Sequence, residues 1–305
     1  MSRSTDNLKL SLHLSRPHFL LGGFLLFGLG AAIATYLGKP IDWSLYLLGQ
    51  LLVTSIQLMA QAMNSFFDGT REQGITFRSL FSGDRKALEP EHLPYTAAWI
   101  TAIVALTISA TIIAVLLVVK NVSLVTWALV LMGFLTAFFY STPPVRLVTS
   151  GYGEILATIV VASFVPTFSF TLQTGELHRL LLMSTIPLAA LLFAAFIAFE
   201  FPDYAADVNR ERRTLMVRLG WENAMKLHDL AILFAIATFL GAYVIGLPDR
   251  VALGALISFP LALAQIWQLY RIKAGLPPRW PTFTISALIL FAMTAYLELM
   301  GYLFS

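Results

Sequence analysis

The chain has 305 residues, of which 58% are hydrophobic and only 12% are charged, and its mean hydropathy is +0.77. A soluble domain carries about twice that share of charged residues, so the composition excludes a single water-soluble core and predicts an integral membrane protein. The absence of cysteine excludes disulfides, thiolate metal sites and cysteine nucleophiles, and a formal charge of +3 gives no indication of a nucleic-acid partner.

Nine uncharged runs have about the length that crosses a bilayer as a helix. Because they lack period-2 alternation and are too long for barrel strands, they predict an all-α fold. We expect a polytopic bundle of nine transmembrane helices around a central cavity open to the cytoplasmic side. The runs are 19–38, 43–67, 93–119, 123–142, 155–175, 180–199, 230–248, 251–270 and 280–297.

The basic residues indicate an orientation. Sixteen of the 20 Lys and Arg residues lie in the N-terminal arm and in the loops that follow the even-numbered runs. The positive-inside rule therefore predicts a cytoplasmic N-terminus and an external C-terminus, and we expect the plasma membrane. We predict one membrane domain over 1–305, with a cytoplasmic arm at 1–16 and cytoplasmic active-site loops at 68–92 and 200–229. These loops hold 11 of the 17 acidic residues.

The second run ends in the phrase MNSFFDGTREQG, and a polar stripe precedes its aspartate. A polar face on a membrane helix normally borders the bundle interior or a water-filled cavity. For the glutamines of the stripe, hydrogen bonding between helices is the simpler alternative. For its last two members, at the membrane edge, we favour a functional site. Steps of 7, 4, 3 and 4 place the stripe on one helix face: Gln50, Gln57, Gln61, Asn64 and Asp68.

A similar pair follows the sixth run, in the phrase EFPDYAADVNRERRTLMVRLG. Asp203 and Asp207 are four residues apart, so both carboxylates project from one helix face about one turn apart. This spacing repeats that of Asn64 and Asp68, at the same predicted end of the membrane. Carboxylates on two facing helices suit Mg²⁺, which prefers oxygen ligands and is often completed by waters and substrate phosphates.

Cations near both pairs can bind an anion, because a guanidinium group clamps phosphate oxygens with two hydrogen bonds. For the arginines of the second loop, topology signalling and contact with anionic lipid carry equal weight. The candidate cations are Arg71, Arg85, Lys86, Arg146, Arg212 and Arg213.

The stretch YSTPPVRLVTSGYGE, residues 140–154, connects the fourth run to the fifth. Its Pro–Pro pair predicts the end of one helix, and its two later glycines predict a close approach of the chain. Tyr140 is either an interface anchor or a site residue near the level of Arg146. Glu154 begins an apolar run, which is unfavourable unless its side chain faces the cleft.

With these motifs and nine runs, residues 17–303 resemble the UbiA superfamily of intramembrane aromatic prenyltransferases. The phrases NSFFDGTREQG, SGDRKAL, YSTPPVRL…GYGE and EFPDYAAD…RRTLMVRLG look closest to the 1,4-dihydroxy-2-naphthoate prenyltransferases of menaquinone synthesis and their relatives. The resemblance implies that both motifs bind the diphosphate of a polyprenyl donor through Mg²⁺. It also implies that the prenyl group passes to a small aromatic acceptor, and that the protein contacts membrane lipid.

The resemblance implies that Asp68, Asp203 and Asp207 are metal ligands and that Asn64 hydrogen-bonds the metal's shell or the diphosphate. Many relatives have a further Asp after the first motif. Here Glu72 either replaces it as a metal ligand or is a solvated acid paired with a nearby Arg.

We expect the catalytic set to include Tyr140, which would orient the donor or the acceptor. Glu200 stands where relatives often have Asn and is the candidate for the general base. The residues expected to bind substrate are the cations and the one acid close to the motifs: Arg71, Lys86, Arg146, Glu200, Arg212 and Arg213.

In the expected reaction, metal ions and cations neutralise the departing diphosphate, and an electron-rich ring attacks the carbocation-like prenyl group. Aromatic side chains near that depth can stabilise the cation through their π faces: Phe66, Phe67, Tyr140, Phe196 and Phe199.

Two kinds of alternative stay open. A secondary transporter also has intramembrane carboxylates and similar halves, although its site usually lies near the membrane midplane rather than at the helix ends. Within the enzyme class, the acceptor could instead be 4-hydroxybenzoate, homogentisate, a haem, a chlorophyllide or a non-aromatic lipid.

Overall fold

The structure, a computed structural model, describes residues 17–69, 95–119, 122–209 and 212–305. Within these ranges the chain is helical and contains no strand. The long helices of the described residues are, in chain order, α1 (Pro17–Tyr36), α2 (Trp43–Gly69), α3 (Tyr95–Val119), α4 (Leu124–Ser141), α5 (Gly153–Thr174), α6 (Arg179–Glu200), α7 (Trp221–Ile245), α8 (Asp249–Lys273) and α9 (Trp280–Leu303).

Helices α2 to α9 account for eight segments that are long and apolar enough to cross a membrane. In α1 the apolar segment Leu20–Tyr36 is shorter, so the count of nine spans stays a prediction. Most helices begin and end within a few residues of the predicted runs, because a chain in lipid must satisfy its backbone hydrogen bonds within its own helix. The protein is therefore an all-helical, multi-pass membrane protein.

The structure corrects the predicted loop at 200–229. A 3₁₀ turn (Phe201–Asp203) and two short helices (Tyr204–Asn209 and Leu215–Leu219) occupy much of it, and its last nine residues belong to α7. The sequence predicts that this helix begins at residue 230, because charged residues precede that position and end the uncharged run. Glu222 and Lys226, one turn apart, are exposed on the first turns of α7, where a helix can carry charges at the membrane edge.

Close helix pairing builds the bundle. Helix α2 packs along α3, where the buried hydroxyls of Ser55 and Ser109 lie 2.8 Å apart, and α6 packs along α7. Helix α1 packs against α5 and α9, and a Cβ at Gly30 would overlap the Pro166 carbonyl oxygen. Small residues allow such backbone contact in membranes. This packing leaves a cavity between α2, α4, α5, α6 and α9, with α1 along one side.

Candidate active site

The cavity has a volume of about 260 Å³, and most of its lining is apolar. Three carboxamides on α2, those of Gln57, Gln61 and Asn64, form a polar stripe along one wall. Thr136 and Tyr140 face the cavity from α4. The prediction that the stripe borders an interior cavity is confirmed for these three residues. The described residues that line the cavity include no charged side chain.

Gln50 lies on the same face of α2 but does not line the cavity. It is 5% exposed, its Nε2 donates to Thr54 Oγ1 at 3.2 Å, and that hydroxyl donates back to the Gln50 carbonyl at 2.9 Å. On α2 the lining ends at Leu52 and Val53, about one turn short of Gln50 along the polar face. The stripe therefore reaches the cavity only from Gln57 onward.

The two glutamines of the cavity wall have unsatisfied oxygen atoms. Gln57 Oε1 and Gln61 Oε1 are buried without a hydrogen-bond partner among the described residues. Gly23 of α1 lies against the Gln57 carboxamide, and a Cβ there would overlap it. Because a buried acceptor without a donor is unfavourable, a bound molecule that brings hydrogen-bond donors to this wall would stabilise these atoms.

Asn64 and Tyr140 both line one end of the cavity, where α2 and α4 approach their C-termini. The buried hydroxyl of Ser141 donates a hydrogen bond of 2.9 Å to Asn64 Oδ1, and the contact links the two helices. Asp68 lies one turn beyond Asn64 in the last turn of α2. The backbone of α2 is described at Asp68, but its side chain lies outside the described residues.

The second aspartate pair follows α6 directly. Asp203 ends the 3₁₀ turn and is half-buried, whereas Asp207, on the next short helix, is 7% exposed. Arg212 Nη1 lies 3.7 Å from Asp207 Oδ1, and the Arg212 amide donates to the Asp207 carbonyl at 3.0 Å. Neither aspartate lines the cavity, but Phe196 and Phe199, shortly before them, do. The pair thus lies next to the cavity end.

A carboxyl pair next to Asp207 was not predicted as a unit. The side chains of Glu154, at the start of α5, and Glu200, at the end of α6, lie within hydrogen-bonding reach of each other. Glu200 Oε2 also accepts a bond of 3.1 Å from the Met216 amide. Two carboxyl groups can share a hydrogen bond only when one carries a proton. The sequence signal was Glu154 itself, a buried acid at the start of an apolar run.

The connection from α4 to α5 docks on the segment 213–218. The Arg218 guanidinium lies over the Tyr152 ring, 5.2 Å from its centroid, and donates to the Arg213 carbonyl at 3.3 Å. Gly151 permits this contact, because a Cβ there would lie 2.6 Å from the Arg218 side chain. The predicted end of α4 before the Pro–Pro pair and the predicted close approach of the glycines are both confirmed.

Arg146 lies within this connection and is half-buried. Its φ is 44°. No other non-glycine residue that the structure describes has a positive φ. Its amide donates to the Thr142 carbonyl at 3.1 Å, and its carbonyl accepts from the Thr149 amide at 3.0 Å. The backbone on both sides thus holds Arg146 in a left-handed conformation, which is unfavourable for a side-chain-bearing residue.

The remaining predicted site residues divide into two groups. Arg213 is exposed and contributes its carbonyl to the contact with Arg218. Arg71, Glu72 and Lys86 lie outside the described residues. Among the side chains that the structure describes, no three from His, Asp and Glu form a group that could hold a metal ion.

Of the aromatic residues expected near the reaction, Tyr140, Phe196 and Phe199 line the cavity. Phe66 instead contacts the Phe67 ring edge-to-face and the Trp99 ring of α3 in a tilted arrangement, with centroid distances of 5.2 and 5.1 Å.

Comparisons with known proteins agree with this architecture. The family model described as the UbiA prenyltransferase family matches residues 23–288. A 1,4-dihydroxy-2-naphthoate octaprenyltransferase from Bacillus subtilis is 27% identical over 230 residues, which cover 73% of this chain and 70% of that protein.

Solved structures share the fold. A digeranylgeranylglyceryl phosphate synthase superposes with a TM-score of 0.64 at 12% identity, covering 98% of each chain. A UbiA homologue from Archaeoglobus fulgidus bound to GPP and Mg²⁺ gives 0.61 at 16% identity, covering 95% of this chain and 99% of that one. The matched span covers all but the ends of the chain, and the helices that build the cavity lie largely within it. The chain therefore belongs to the UbiA prenyltransferase family.

Proposed function

We propose that this protein transfers a polyprenyl group from a prenyl diphosphate to an aromatic acceptor, with 1,4-dihydroxy-2-naphthoate of menaquinone biosynthesis as the acceptor. One observation carries the proposal: an apolar cavity inside a membrane bundle ends at Asn64 and Tyr140, beside the helix end that bears Asp203 and Asp207. An apolar cavity suits a prenyl chain and an aromatic ring. The name of the Bacillus subtilis relative supports this acceptor.

In this proposal the charged end binds the diphosphate. Arg212, already paired with Asp207, is close enough to the second motif to contact a phosphate oxygen, and Arg71, Lys86, Arg146 and Arg213 are the further candidates. Tyr140, at the cavity end, orients the allylic carbon against the ring. The bond between that carbon and the diphosphate oxygen breaks, the ring carbon forms the new bond, and it then releases its proton. The apolar walls exclude water, which would otherwise capture the developing cation.

The donor set fits Mg²⁺. Asp203 and Asp207 offer carboxylate oxygens one turn apart, and Asp68 and the diphosphate would complete an oxygen shell, with Glu72 as a further candidate. Asn64 Oδ1 is engaged by Ser141, so we assign Asn64 to the diphosphate or to the metal's water shell rather than to direct ligation. A Mg²⁺ ion held by these residues would supply positive charge to the departing diphosphate.

We propose the plasma membrane as the location, with the N-terminus and the diphosphate end of the cavity in the cytoplasm. The distribution of Lys and Arg supports this orientation. A cytoplasmic opening would give water-soluble acceptors and metal ions access to the site, while the prenyl chain stays in lipid. One membrane domain over the whole chain is sufficient for this arrangement.

The test is prenyl transfer by the purified full chain in detergent. The protein is supplied with radiolabelled geranylgeranyl diphosphate and 1,4-dihydroxy-2-naphthoate, 4-hydroxybenzoate or homogentisate, with Mg²⁺ or with excess EDTA. We expect a prenylated dihydroxynaphthoate, loss of the product in EDTA, and recovery when Mg²⁺ is restored. Product from another acceptor alone would replace the proposed acceptor, and undiminished turnover in EDTA would sink the metal-dependent mechanism.

Matched variants separate the site from the fold. Asp203→Asn and Asp207→Asn should each abolish product while the protein remains monodisperse. Asp249→Asn changes an acid in the first turn of α8, at the opposite end of the bundle, and should retain activity. Wild-type rates in both site variants would assign these aspartates to topology or stability.

A further inference from the structure

Gln57 and Gln61 form one wall of the cavity, the glutamine wall, and diphosphate binding at the cavity end does not explain why these polar side chains are there. Gln57 and Gln61 are one helical turn apart on α2, and both face the cavity. Each has a buried Oε1 atom without a hydrogen-bond partner among the described residues. A neutral carboxamide oxygen accepts hydrogen bonds and offers no charge. The wall is therefore complementary to a ligand that brings hydrogen-bond donors in two places.

The rest of the cavity restricts which ligand this is. Its described lining includes no Lys, Arg or His, so a carboxylate or phosphate placed deep in it would lack a cation. A prenyl chain has no hydrogen-bond donor and would leave both oxygens unsatisfied. Apolar groups surround the stripe, among them Ile56, Val161 and Phe196. These surroundings fit a flat, apolar ring that carries hydroxyl groups.

We propose that Gln57 and Gln61 select the aromatic acceptor by accepting hydrogen bonds from two hydroxyl groups on its ring. This inference rests on the proposed prenyl transfer and adds the basis of acceptor specificity. Any carboxylate on the ring points toward the end of the cavity at Asn64 and Tyr140, on the side of the cation Arg212. The two carboxamides hold the ring along α2, so they determine which carbon faces the prenyl donor.

The packing of α1 against the Gln57 side chain fixes the position of its carboxamide. Gly23 leaves the space into which the carboxamide fits, and a side chain there would displace it. Gln50 provides a matched comparison on the same helix. It is also a buried glutamine whose Oε1 has no hydrogen-bond partner among the described residues, but its Nε2 donates to Thr54 and its side chain does not line the cavity.

The experiment pairs enzyme variants with acceptor analogues. Binding of 1,4-dihydroxy-2-naphthoate and of two analogues, each lacking one ring hydroxyl, is measured without the donor, so that ring reactivity does not contribute. Wild type and the Gln57→Leu, Gln61→Leu and Gln50→Leu variants are compared. For wild type we expect each missing hydroxyl to weaken binding by roughly 5- to 100-fold, because a buried acceptor loses its donor.

Each leucine variant at the cavity should lose the preference for one hydroxyl and keep the preference for the other, whereas Gln50→Leu should discriminate like wild type. Preferences that are unchanged in both cavity variants would overturn this inference alone, provided that wild type still prenylates the acceptor. A wild-type protein that binds the analogues as tightly as the dihydroxy compound would overturn it without any variant. Failure of wild type to prenylate any arene would overturn the proposed function, and this inference with it.

Discussion

The Ser141 hydroxyl donates a hydrogen bond of 2.9 Å to Asn64 Oδ1, across the contact between α4 and α2. The bond holds the Asn64 carboxamide at the cavity end, so Ser141 acts on the site through a neighbour. We expect Ser141→Ala to lower kcat/KM for prenyl transfer about fivefold, the effect of one neutral hydrogen bond. Asn64→Ala should have a much larger effect in the same assay.

Ser109→Ala is the control for Ser141→Ala. It removes an equally buried hydroxyl that pairs with Ser55 between α3 and α2, away from the cavity. Its kcat/KM should stay close to wild type. Equal losses in the two serine variants would mean that helix contact in general, rather than the position of Asn64, controls the rate.

Arg212 supports a prediction about donor binding. Because its guanidinium lies 3.7 Å from Asp207, we expect Arg212→Ala to raise KM for the prenyl diphosphate about tenfold, while Arg212→Lys recovers part of the loss. The control is Arg271→Ala, whose guanidinium lies over the Trp267 ring at the end of α8. Steady-state kinetics with the donor varied provide the measurement, and an unchanged KM in Arg212→Ala would contradict the assignment.

The contact between Glu154 and Glu200 predicts a difference between two substitutions at one position. Glu154→Gln keeps a polar group that can hydrogen-bond Glu200, whereas Glu154→Leu removes it next to a half-buried acid. We expect the leucine variant to lose about 1–3 kcal/mol of stability and the glutamine variant to lose little. Apparent Tm values in detergent measure this difference, and equal values would show that the pair does not stabilise the contact of α5 with α6.

Substitution by alanine should have different effects at two glycines of α1. At Gly23 the new Cβ meets the flexible end of Gln57, so the protein should fold but lose acceptor affinity, as in Gln57→Leu. At Gly30 the Cβ meets the backbone at Pro166, which cannot move without separating α1 from α5. Thermal unfolding and acceptor binding, measured for both variants, test the pair. A destabilised Gly23→Ala with normal acceptor affinity would contradict this account.

The helices and the polar stripe could be predicted because both depend on local periodicity. Lipid demands long uncharged helices, and steps of three and four residues place Gln57, Gln61 and Asn64 on one face. Periodicity predicts which face of a helix a residue occupies but not how far the cavity extends along that helix. It therefore also included Gln50, which lies beyond the cavity. The count of uncharged residues placed the start of α7 too late, because Glu222, Lys226 and Asp229 are charged although the helix includes them.

The tertiary contacts of the site could not be predicted in this way. Glu154 and Glu200 belong to different helices, and two acids do not suggest a pair until the structure brings them together. The hydroxyl of Ser141 is one of many in the chain, and nothing local connects it with Asn64. Such contacts depend on how helices cross, which the pattern of a single helix does not encode.

The cavity draws its lining from almost the whole length of the chain, from Gly22 on α1 to Leu288 and Phe291 on α9. During biosynthesis, helices enter the membrane in order, and the first wall is in place long before the last. The pocket is therefore still an open cleft until α9 has left the ribosome and packed against α1 and α6. A nascent chain that stops before α9 would lack the part of the cavity wall that Leu288 and Phe291 form, so the site is complete only when α9 has packed.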